Sequence, residues 1–539
     1  MVVSFSSAPC DDFAPQHDGD PATNKAAIHR AAVLIGTSPN RLTKIVYESP
    51  SHGEYSGESP HPPVSPRWYN ATEHLHKGTE REVYHIYRSE IQRHVLVEGL
   101  RPDTRYYYRC VVLRDDGIDS IGGILEEKIR DEEEDSEEEE EERKFRRKRK
   151  TRRKRRRLTN PAKVEKYVRY RIGKVRHKID KGVIAAPDAV PSFRTAPETG
   201  TAGSASSKTA SSTKLAIIGD VALTEPALDT LSHLNDDRED IAMILCVGDI
   251  AYANGVHALW DSFMDVLDLY GPTFHHMPLM VAPGNHEVER DHSQQIFASY
   301  EARFHMPQIR RMVGGSYDHS VDMEDVPYPL PYDFGNAFYS FRLGLAHHIV
   351  LNSFGDFRPG SVQYEWLVHE LQSNVDRNIT PWLTVTTHCP IYNTFKWHRH
   401  DPQSLLAQRY LEPLFCEHGV NFVLSGHLHA YQRTHPVNNG TLDQKGPMHI
   451  ILGNGGRQAN TPYYRRKPES WVAVRDHTTY GYGTLDFVNA THARYEWIQT
   501  DVNDVSTQKV RLEEGGANVD KAKHRGIRDK IFVRNQLYL

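Results

Sequence analysis

The pattern of hydrophobic and polar positions divides the chain into two regions. In residues 1–116, short segments of β-branched and aromatic residues alternate with turn clusters, as in LTKIVYE at 42–48 and TRYYYRCVVL at 104–113. This pattern is typical of antiparallel strands in a small β-sandwich. From residue 214 onward, near-continuous apolar runs alternate with helical stretches, which predicts α/β layers with buried sheets.

The α/β region contains seven predicted strands and one clear amphipathic helix. The helix is VQYEWLVHEL at 362–371. The apolar runs that predict strands lie at 214–220, 241–249, 278–287, 347–352, 382–390, 420–427 and 448–456.

Two opposed blocks of charge interrupt the first region. Residues 131–142 are acidic at every position but Ser136, and residues 143–157 are basic except for Phe145 and Thr151. Because blocks of like charge cannot bury apolar surface, we expect a disordered insertion at about 117–188. The last strand of the predicted sandwich follows it, within VPSFRTAP at 190–197.

The resulting domain prediction has four parts. A β-sandwich with its insertion occupies 1–197, and a linker rich in Gly, Ser, Thr and Ala occupies 198–213. The α/β domain covers 214–510, and 511–539 is predicted to be a C-terminal tail. A chain of 539 residues is too long for a single core, which agrees with several domains.

Composition argues against a membrane-spanning protein and against a nucleic-acid-binding protein. No run of eighteen apolar residues occurs, so we expect no membrane span. The net charge of -5 averages the two opposed blocks. The basic run 143–157 could bind nucleic acid or act as a nuclear-import signal. The acidic block beside it would neutralise it, so we do not expect a nucleic-acid partner despite this run.

Polar, metal-capable residues follow five of the predicted strands. In open α/β sheets, ligands bind where the carboxyl ends of the strands converge, so residues far apart in sequence can meet there. Any one of these residues alone has an ordinary structural explanation, such as a turn or a helix cap. Together they predict a site: Asp220, Asp249 with Tyr252, Asn285 with His286, His388, and His427 with His429.

The donor types predict two metal ions. Two carboxylates, a phenol, an amide and three imidazoles are more donors than one ion needs. Hard oxygen donors that include a phenolate suit trivalent iron, and the nitrogen-rich remainder suits zinc, manganese or divalent iron. One shared aspartate would hold the ions about 3.5–4 Å apart, the spacing of two-metal phosphatases.

Five motifs resemble those of the purple acid phosphatases, which are calcineurin-like metallophosphoesterases. They are GDV (219–221), GDIAY (248–252), GNHE (284–287), VTTH (385–388) and GHLH (426–429). The likeness extends over nearly all of 213–510. It implies an α/β fold, a four-layer metallophosphoesterase β-sandwich flanked by helices.

The resemblance also implies a role for each residue. A ferric ion would be held by Asp220, Tyr252 and His429, and Asp249 would bridge the two metals. The divalent ion, one per subunit like the iron, would be zinc, manganese or iron. Its ligands would be Asn285, His388 and His427.

Two histidines outside the ligand set complete the implied site. Three residues would bind the substrate phosphate: His286, His398 and the metal ligand Asn285. Both histidines would also be catalytic, as donors of a hydrogen bond or a proton. Trp397 stands before His398, where plant enzymes often have a second histidine, and His400 could replace it. The first motif usually reads GDxG, and Ala222 takes the place of its last glycine.

The implied reaction is hydrolysis of small phosphate monoesters at acid pH by a metal-bound hydroxide. Two alternatives remain open. The same site could serve a phosphodiesterase or nucleotide pyrophosphatase. The chain could instead be an inert cell-surface or nucleic-acid-binding protein, although the complete ligand set argues against it.

The first region resembles the fibronectin-type-III-like domain that precedes the catalytic domain in plant-type purple acid phosphatases. VLIGTSPNRLTKI (33–45) and HVLVEGLRPDTRYYYRC (94–110) carry this likeness. MVVSF (1–5) resembles an internal strand, so we expect the chain to lack its first strands and a leader. With sequons at Asn70, Asn378, Asn439 and Asn489, we expect a glycoprotein that is secreted or lies in the vacuolar or endomembrane lumen.

Overall fold

The structure of the chain is a computed structural model. It describes residues 2–7, 29–39, 41–47, 70–74, 84–88, 91–114, 191–195, 213–254, 258–289, 296–307, 328–459, 461–500 and 526–538. The predicted insertion at 117–188 and the linker at 198–213 lie outside these residues, apart from Thr213.

In the part of the chain that the structure describes, eight strands precede the α/β region. Strands β3, β2, β7 and β8 form a four-stranded sheet in that order, and β1 pairs with β6 and β4 with β5. Val33 of β2, Val95 of β6 and Phe193 of β8 share one small buried core. The strands are β1 (Val2–Ser7), β2 (His29–Gly36), β3 (Lys44–Tyr47), β4 (Asn70–His74), β5 (Tyr84–Arg88), β6 (Ile91–Leu96), β7 (Arg105–Arg114) and β8 (Ser192–Arg194).

Fifteen strands follow among the described residues, and a strand overlaps each of the seven apolar runs that predicted one. They are β9 (Thr213–Ile218), β10 (Met243–Cys246), β11 (Leu279–Val281), β12 (Tyr339–Leu343), β13 (Ala346–Leu351), β14 (Trp382–Thr387), β15 (Phe422–Ser425), β16 (Tyr431–Thr434), β17 (Val437–Asn438), β18 (Thr441–Leu442), β19 (Met448–Leu452), β20 (Val472–Asp476), β21 (Gly481–Phe487), β22 (His492–Gln499) and β23 (Gly526–Arg534).

Two large sheets organise these strands. The first has the order β11-β10-β9-β21-β22-β23, and the second has the order β12-β13-β14-β15-β19-β16-β20. Strands β9, β10 and β11 run parallel, as do β13, β14, β15 and β19. The predicted α/β class is therefore confirmed. The parallel strands form one half of the first sheet, with β11 at its edge, and the centre of the second sheet.

Helices pack on the sheets, and two of them begin at a side-chain cap. The Thr224 hydroxyl caps the first helix by accepting from the Ala227 N–H, and the Ser361 hydroxyl caps the fifth by accepting from the Tyr364 N–H. The helices are α1 (Glu225–Asp236), α2 (Ala258–Leu269), α3 (Gly271–Phe274), α4 (Ala298–Arg303), α5 (Val362–His369), α6 (Pro402–Tyr410) and α7 (Glu412–Glu417).

The two sheets pack face to face around one core. The Trp382 ring of β14 lies 5.6 Å from the Phe487 ring of β21. The Tyr431 ring of β16 stacks on the Trp497 ring of β22 with a centroid distance of 4.1 Å. Burial of large aromatic surfaces of this kind supplies much of the stabilisation of a core.

Two further features concern the ends of the α/β region. The Tyr108 hydroxyl of β7 donates to the His275 carbonyl at 2.9 Å, so the N-terminal strands contact this region directly. The predicted tail at 511–539 includes β23, which pairs with β22 at the edge of the first sheet.

None of the helices in the described part of the chain combines the length and apolar character needed to cross a bilayer.

Candidate metal centre

The predicted donors lie in loops at the carboxyl ends of parallel strands from both sheets. Asp220 follows β9, Asp249 follows β10, and Asn285 follows β11 of the first sheet. His388 follows β14 and His427 follows β15 of the second sheet. The two sheets therefore bring together residues that are far apart in sequence. The His427 N–H, for example, donates to Asp220 Oδ2 at 2.9 Å across a separation of 207 positions.

Several donors have unusual backbone conformations. Asp220, Asp249, Tyr252 and His427 all have positive φ, between 53° and 68°. Non-glycine residues adopt this left-handed region at a cost of about 1–3 kcal/mol each, and such residues cluster at functional sites. Because such conformations persist only where surrounding contacts impose them, the packing around these loops holds the four side chains in their directions.

The first group of donors consists of Asp220, Tyr252 and His429. The Tyr252 hydroxyl donates to Asp220 Oδ1 at 2.9 Å and lies 2.8 Å from His429 Nε2. His429 Nε2 is 3.5 Å from Asp220 Oδ1. One carboxylate oxygen, one phenol oxygen and one imidazole nitrogen thus converge on a single point.

The second group consists of Asn285, His388 and His427. Asn285 Oδ1 lies 3.2 Å from His388 Nε2 and 2.9 Å from His427 Nδ1. The Nδ1 of His388 is engaged by the Val247 carbonyl at 2.8 Å, which leaves Nε2 to face the site. This fixed ring orientation is the usual arrangement of a metal-binding histidine.

Asp249 lies between the two groups. Its Oδ2 is 3.4 Å from His388 Nε2, and its Oδ1 accepts from the His286 N–H at 2.9 Å. One donor atom each of Asp249, His388 and His427 lie within 4.8 Å of one another, as the ligands of one ion do. Both groups of donors have the composition that a mixed-metal site needs, so the residues fit a pair of ions.

Burial sets the electrostatics of the site. Burial and the nearby Asp249 charge raise the pKa of Asp220 well above its ordinary value. Burial favours a similar rise for Asp249, but the charges and hydrogen bonds of His388 and His286 together outweigh it and lower the pKa of Asp249. Burial favours a lower pKa for His388, but the charge and hydrogen bond of Asp249, with smaller contributions from Asp220 and the Val247 carbonyl, raise its pKa to about 9. Two buried carboxylates this close require cations, which bound metals would supply.

His286 and His398 lie at the mouth of the site. The His286 ring is 4.1 Å from the Tyr252 ring, and its Nε2 is 3.8 Å from Asp249 Oδ2. The His398 ring lies 3.9 Å from the His427 ring, and its side chain is 40% exposed. Both imidazoles can therefore reach solvent and the donor groups, as a contact to substrate requires.

Two comparisons with protein families match the catalytic region. The model described as "Calcineurin-like phosphoesterase" matches residues 213–431, and "Iron/zinc purple acid phosphatase-like protein C" matches 446–508. Purple acid phosphatase 18 of Arabidopsis thaliana is 34% identical over 337 residues, which cover 62% of this chain and 70% of the relative. The chain belongs to the purple acid phosphatases.

Other relatives agree with this assignment. Probable purple acid phosphatase 20 of Arabidopsis thaliana is 33% identical over 299 residues, which cover 55% of this chain and 64% of that protein. A purple acid phosphatase from yellow lupin (Lupinus luteus) seeds has a similar fold, with a TM-score of 0.56 at 15% identity over 93% of this chain and 69% of that chain. Membership of the purple acid phosphatases implies a dinuclear metal centre.

One departure from the purple acid phosphatase pattern has a visible structural consequence. Ala222 is buried and has a φ of 62°, a conformation that suits the glycine usually found there. Its N–H donates to the Ile250 carbonyl at 2.9 Å, and Val221 donates to the Asp249 carbonyl at 3.0 Å. These bonds hold the turn, and Asp220 keeps its place in the first donor group.

Asp401 is a contact residue that the sequence did not reveal. Its Oδ2 lies 2.8 Å from His398 Nδ1 and 3.2 Å from His427 Nε2. His400, the residue considered as a replacement at the Trp397 position, is exposed on the same loop. Trp397 itself is 48% exposed. The spacing of His398 and Asp401 by three residues is the one sequence signal that could have indicated the pair.

Glu287 is the second residue that was missed. Its carboxylate is buried and accepts from the N–H groups of Asp249, Ile250 and Gly284, each at 2.8 Å. Burial and the Asp249 charge raise its pKa to about 8. Glu287 thus ties the loop after β10 to the loop after β11. Its place as the last residue of GNHE was visible, but its contacts were not.

Two glycines allow these loops to pack so closely. A Cβ on Gly284 would lie 2.2 Å from Asp249 Oδ1, and one on Gly248 would lie 2.4 Å from His388 Nδ1. Gly248 also has a φ of 98°, which a residue with a side chain rarely adopts. The glycines in GDIAY and GNHE are therefore required by contacts with donor side chains.

Proposed function

We propose that the chain hydrolyses small phosphate monoesters at acid pH with one ferric and one divalent ion. The observation that carries this proposal is the arrangement of six donors in two groups of three, with the seventh donor, Asp249, between them. Asp220, Tyr252 and His429 would hold the ferric ion, and the phenol oxygen supports that choice. The divalent ion would be zinc, manganese or iron.

The remaining ligands of the proposed centre come from both sheets. Asn285, His388 and His427 would hold the divalent ion, and Asp249 would bridge. When bound, the metals supply a nucleophile derived from water at acid pH and polarise the phosphate.

The side chains at the mouth would handle the substrate. His286 and Asn285 would contact the phosphate, and His398 would donate a proton or a hydrogen bond to the leaving oxygen. The Asp401 carboxylate, 2.8 Å from His398 Nδ1, fixes which edge of that ring faces the substrate. This division of roles is supported by the position of both histidines at the solvent side of the donors.

Metal content, colour and turnover measured on one purified sample test this proposal. We expect iron and a divalent metal in equal amounts, together with a visible ferric–tyrosinate band. Asp249→Ala and His427→Ala should lose bound metal and turnover while keeping the fold by circular dichroism. His435→Ala, an exposed histidine outside the site, is the matched control and should behave as wild type. Full activity in either site variant would refute the proposal.

The same assay separates the alternatives. Turnover of p-nitrophenyl phosphate should exceed turnover of bis(p-nitrophenyl) phosphate, because two mouth histidines and two cations suit a dianion. The reverse preference would indicate a phosphodiesterase. A colourless protein without metal would indicate an inert binding protein.

We also propose a secreted or vacuolar glycoprotein. Among the four sequons, Asn378, Asn439 and Asn489 are exposed, so an attached glycan would meet no steric barrier there. A fall in mass after treatment of the natural protein with an N-glycosidase would support this, and an unchanged mass would oppose it.

A further inference from the structure

Arg457 is a cation fixed beside the first donor group. It follows the GNGG sequence that leaves β19, and its backbone N–H donates to the Asp220 carbonyl at 2.7 Å. Its guanidinium carbon lies 4.7 Å from the centroid of the Tyr252 ring. The Tyr252 hydroxyl belongs to the donor group itself, so the positive charge stands next to the reaction centre.

The proposed reaction leaves this cation unused. Arg457 is exposed, and within the described ranges no ion pair joins it to a carboxylate. The Tyr252 ring that it contacts also packs against the His286 ring, with a centroid distance of 4.1 Å. Only the Tyr252 side chain thus connects the guanidinium to the histidine that would face the substrate, and the guanidinium remains available to an anion.

The geometry of a guanidinium determines what it can bind here. Stacking on an aromatic ring occupies its flat face and leaves its N–H edge free. That edge forms paired hydrogen bonds with a carboxylate or a phosphate. Two metal ions and two histidines already suit the phosphate that is cleaved, so a further cation suits a further anionic group.

We propose that Arg457 selects substrates whose leaving group carries a second anionic group, a carboxylate or a phosphate, adjacent to the cleaved ester. This inference rests on the proposed phosphatase function. Arg457 would act as a specificity-determining residue that binds the part of the substrate that is released.

Two matched substrates test the inference. D-2-phosphoglycerate and glycerol 2-phosphate differ only in a carboxylate that replaces a hydroxymethyl group. We expect Arg457→Gln to lower kcat/KM for D-2-phosphoglycerate relative to glycerol 2-phosphate by about tenfold or more, the worth of a hydrogen-bonded charge pair. Arg457→Lys should restore part of the ratio, because it keeps the charge and loses the paired geometry.

Arg409→Gln is the control for the loss of one positive charge. Arg409 is also exposed, and its guanidinium carbon lies 5.2 Å from the centroid of the Tyr410 ring on α6. It should leave the ratio unchanged. An equal loss of kcat/KM on both substrates in Arg457→Gln would show that Arg457 binds the transferred phosphate, and it would overturn the inference. Unchanged kcat/KM on both substrates would overturn it as well.

The failure of the proposed function would be visible separately. If the wild type hydrolyses neither substrate, the phosphatase proposal fails. Both compounds can then be tested as ligands that are not turned over. Calorimetry on the metal-loaded protein measures a Kd for each, and the ratio of the two Kd values replaces the ratio of kcat/KM values. Preferential binding of D-2-phosphoglycerate that is lost in Arg457→Gln would support the inference, and equal Kd values would overturn it.

Discussion

Asp401 contacts two histidines that come from different parts of the chain. Its carboxylate lies within 3.2 Å of both His398 and His427, and its side chain is 31% exposed. The contact engages Nε2 of His427, so that Nδ1 faces Asn285. A carboxylate behind a metal-binding imidazole fixes the ring and its tautomer. Asp401 is therefore a positioning residue for a proposed ligand and for a proposed donor at once.

Asp401→Asn should lower kcat by about tenfold to a hundredfold while KM changes little, since the amide keeps the shape but loses the charge that orients both rings. Steady-state kinetics with metal analysis on the same sample measure this. Asp443→Asn, in the turn beside β18, is a control that should keep wild-type kcat. An unchanged kcat in Asp401→Asn would remove the positioning role, and Asp401→Glu should recover part of the activity.

Strand β23 shows how one element is held to the molecule by a buried charge. Its residue Asp529 pairs with Arg433 of β16 through two hydrogen bonds of 2.6 and 2.9 Å. The Tyr431 hydroxyl donates to the same carboxylate at 2.6 Å. Both charged side chains are less than a tenth exposed, at 7% for Arg433 and 6% for Asp529. The strand at the edge of the first sheet is thus joined to the second sheet.

Asp529→Ala should lower the free energy of unfolding by about 3–5 kcal/mol, because it leaves the Arg433 guanidinium buried without its partner. Urea unfolding followed by circular dichroism measures this. Lys530→Ala removes the neighbouring ion pair with Glu496, in which the lysine is 46% exposed, and should cost below about 1 kcal/mol. Equal effects of the two variants would contradict a special role for the buried pair.

At the scale of the whole molecule, the candidate centre joins the two sheets. Asp220, Asp249, Tyr252 and Asn285 come from loops of the first sheet, and His388, His427 and His429 come from loops of the second. Without cations, the site contains two fully buried carboxylates, Asp220 and Asp249. Bound metals would therefore connect both sheets and relieve the repulsion between those charges.

Removal of the metals with a chelator should lower the melting temperature of the whole catalytic region in one transition. Free metal at about one hundred times its Kd stabilises the native state by about 2.7 kcal/mol, so returning metal should restore the melting temperature. Differential scanning calorimetry measures both changes. In Asp249→Ala, added metal should not raise the melting temperature. The same melting temperature with and without metal in the wild type would argue against a centre that joins the sheets.

The sequence by itself determined the α/β class, the positions of the seven strands and the candidate donors. These follow from local information, since buried parallel strands are continuously apolar and their carboxyl ends carry the ligand loops. The resemblance of GDIAY, GNHE and GHLH to family motifs then assigned a role to each donor. Local sequence patterns indicate which segments are buried and where each strand ends. That information was sufficient to predict the fold class, the strands and the candidate donors.

Only the tertiary structure decided which side chains meet around those donors. Asp401, Glu287 and Arg457 each contact a residue on another loop, and the directions of their side chains depend on loop conformations. His398 and Asp249, for example, have φ of 55°. Contacts between the sheets impose such conformations, and no local hydrophobic period encodes them. The strand β23 escaped prediction for the same reason, because Asp529 is satisfied by an arginine 96 positions away.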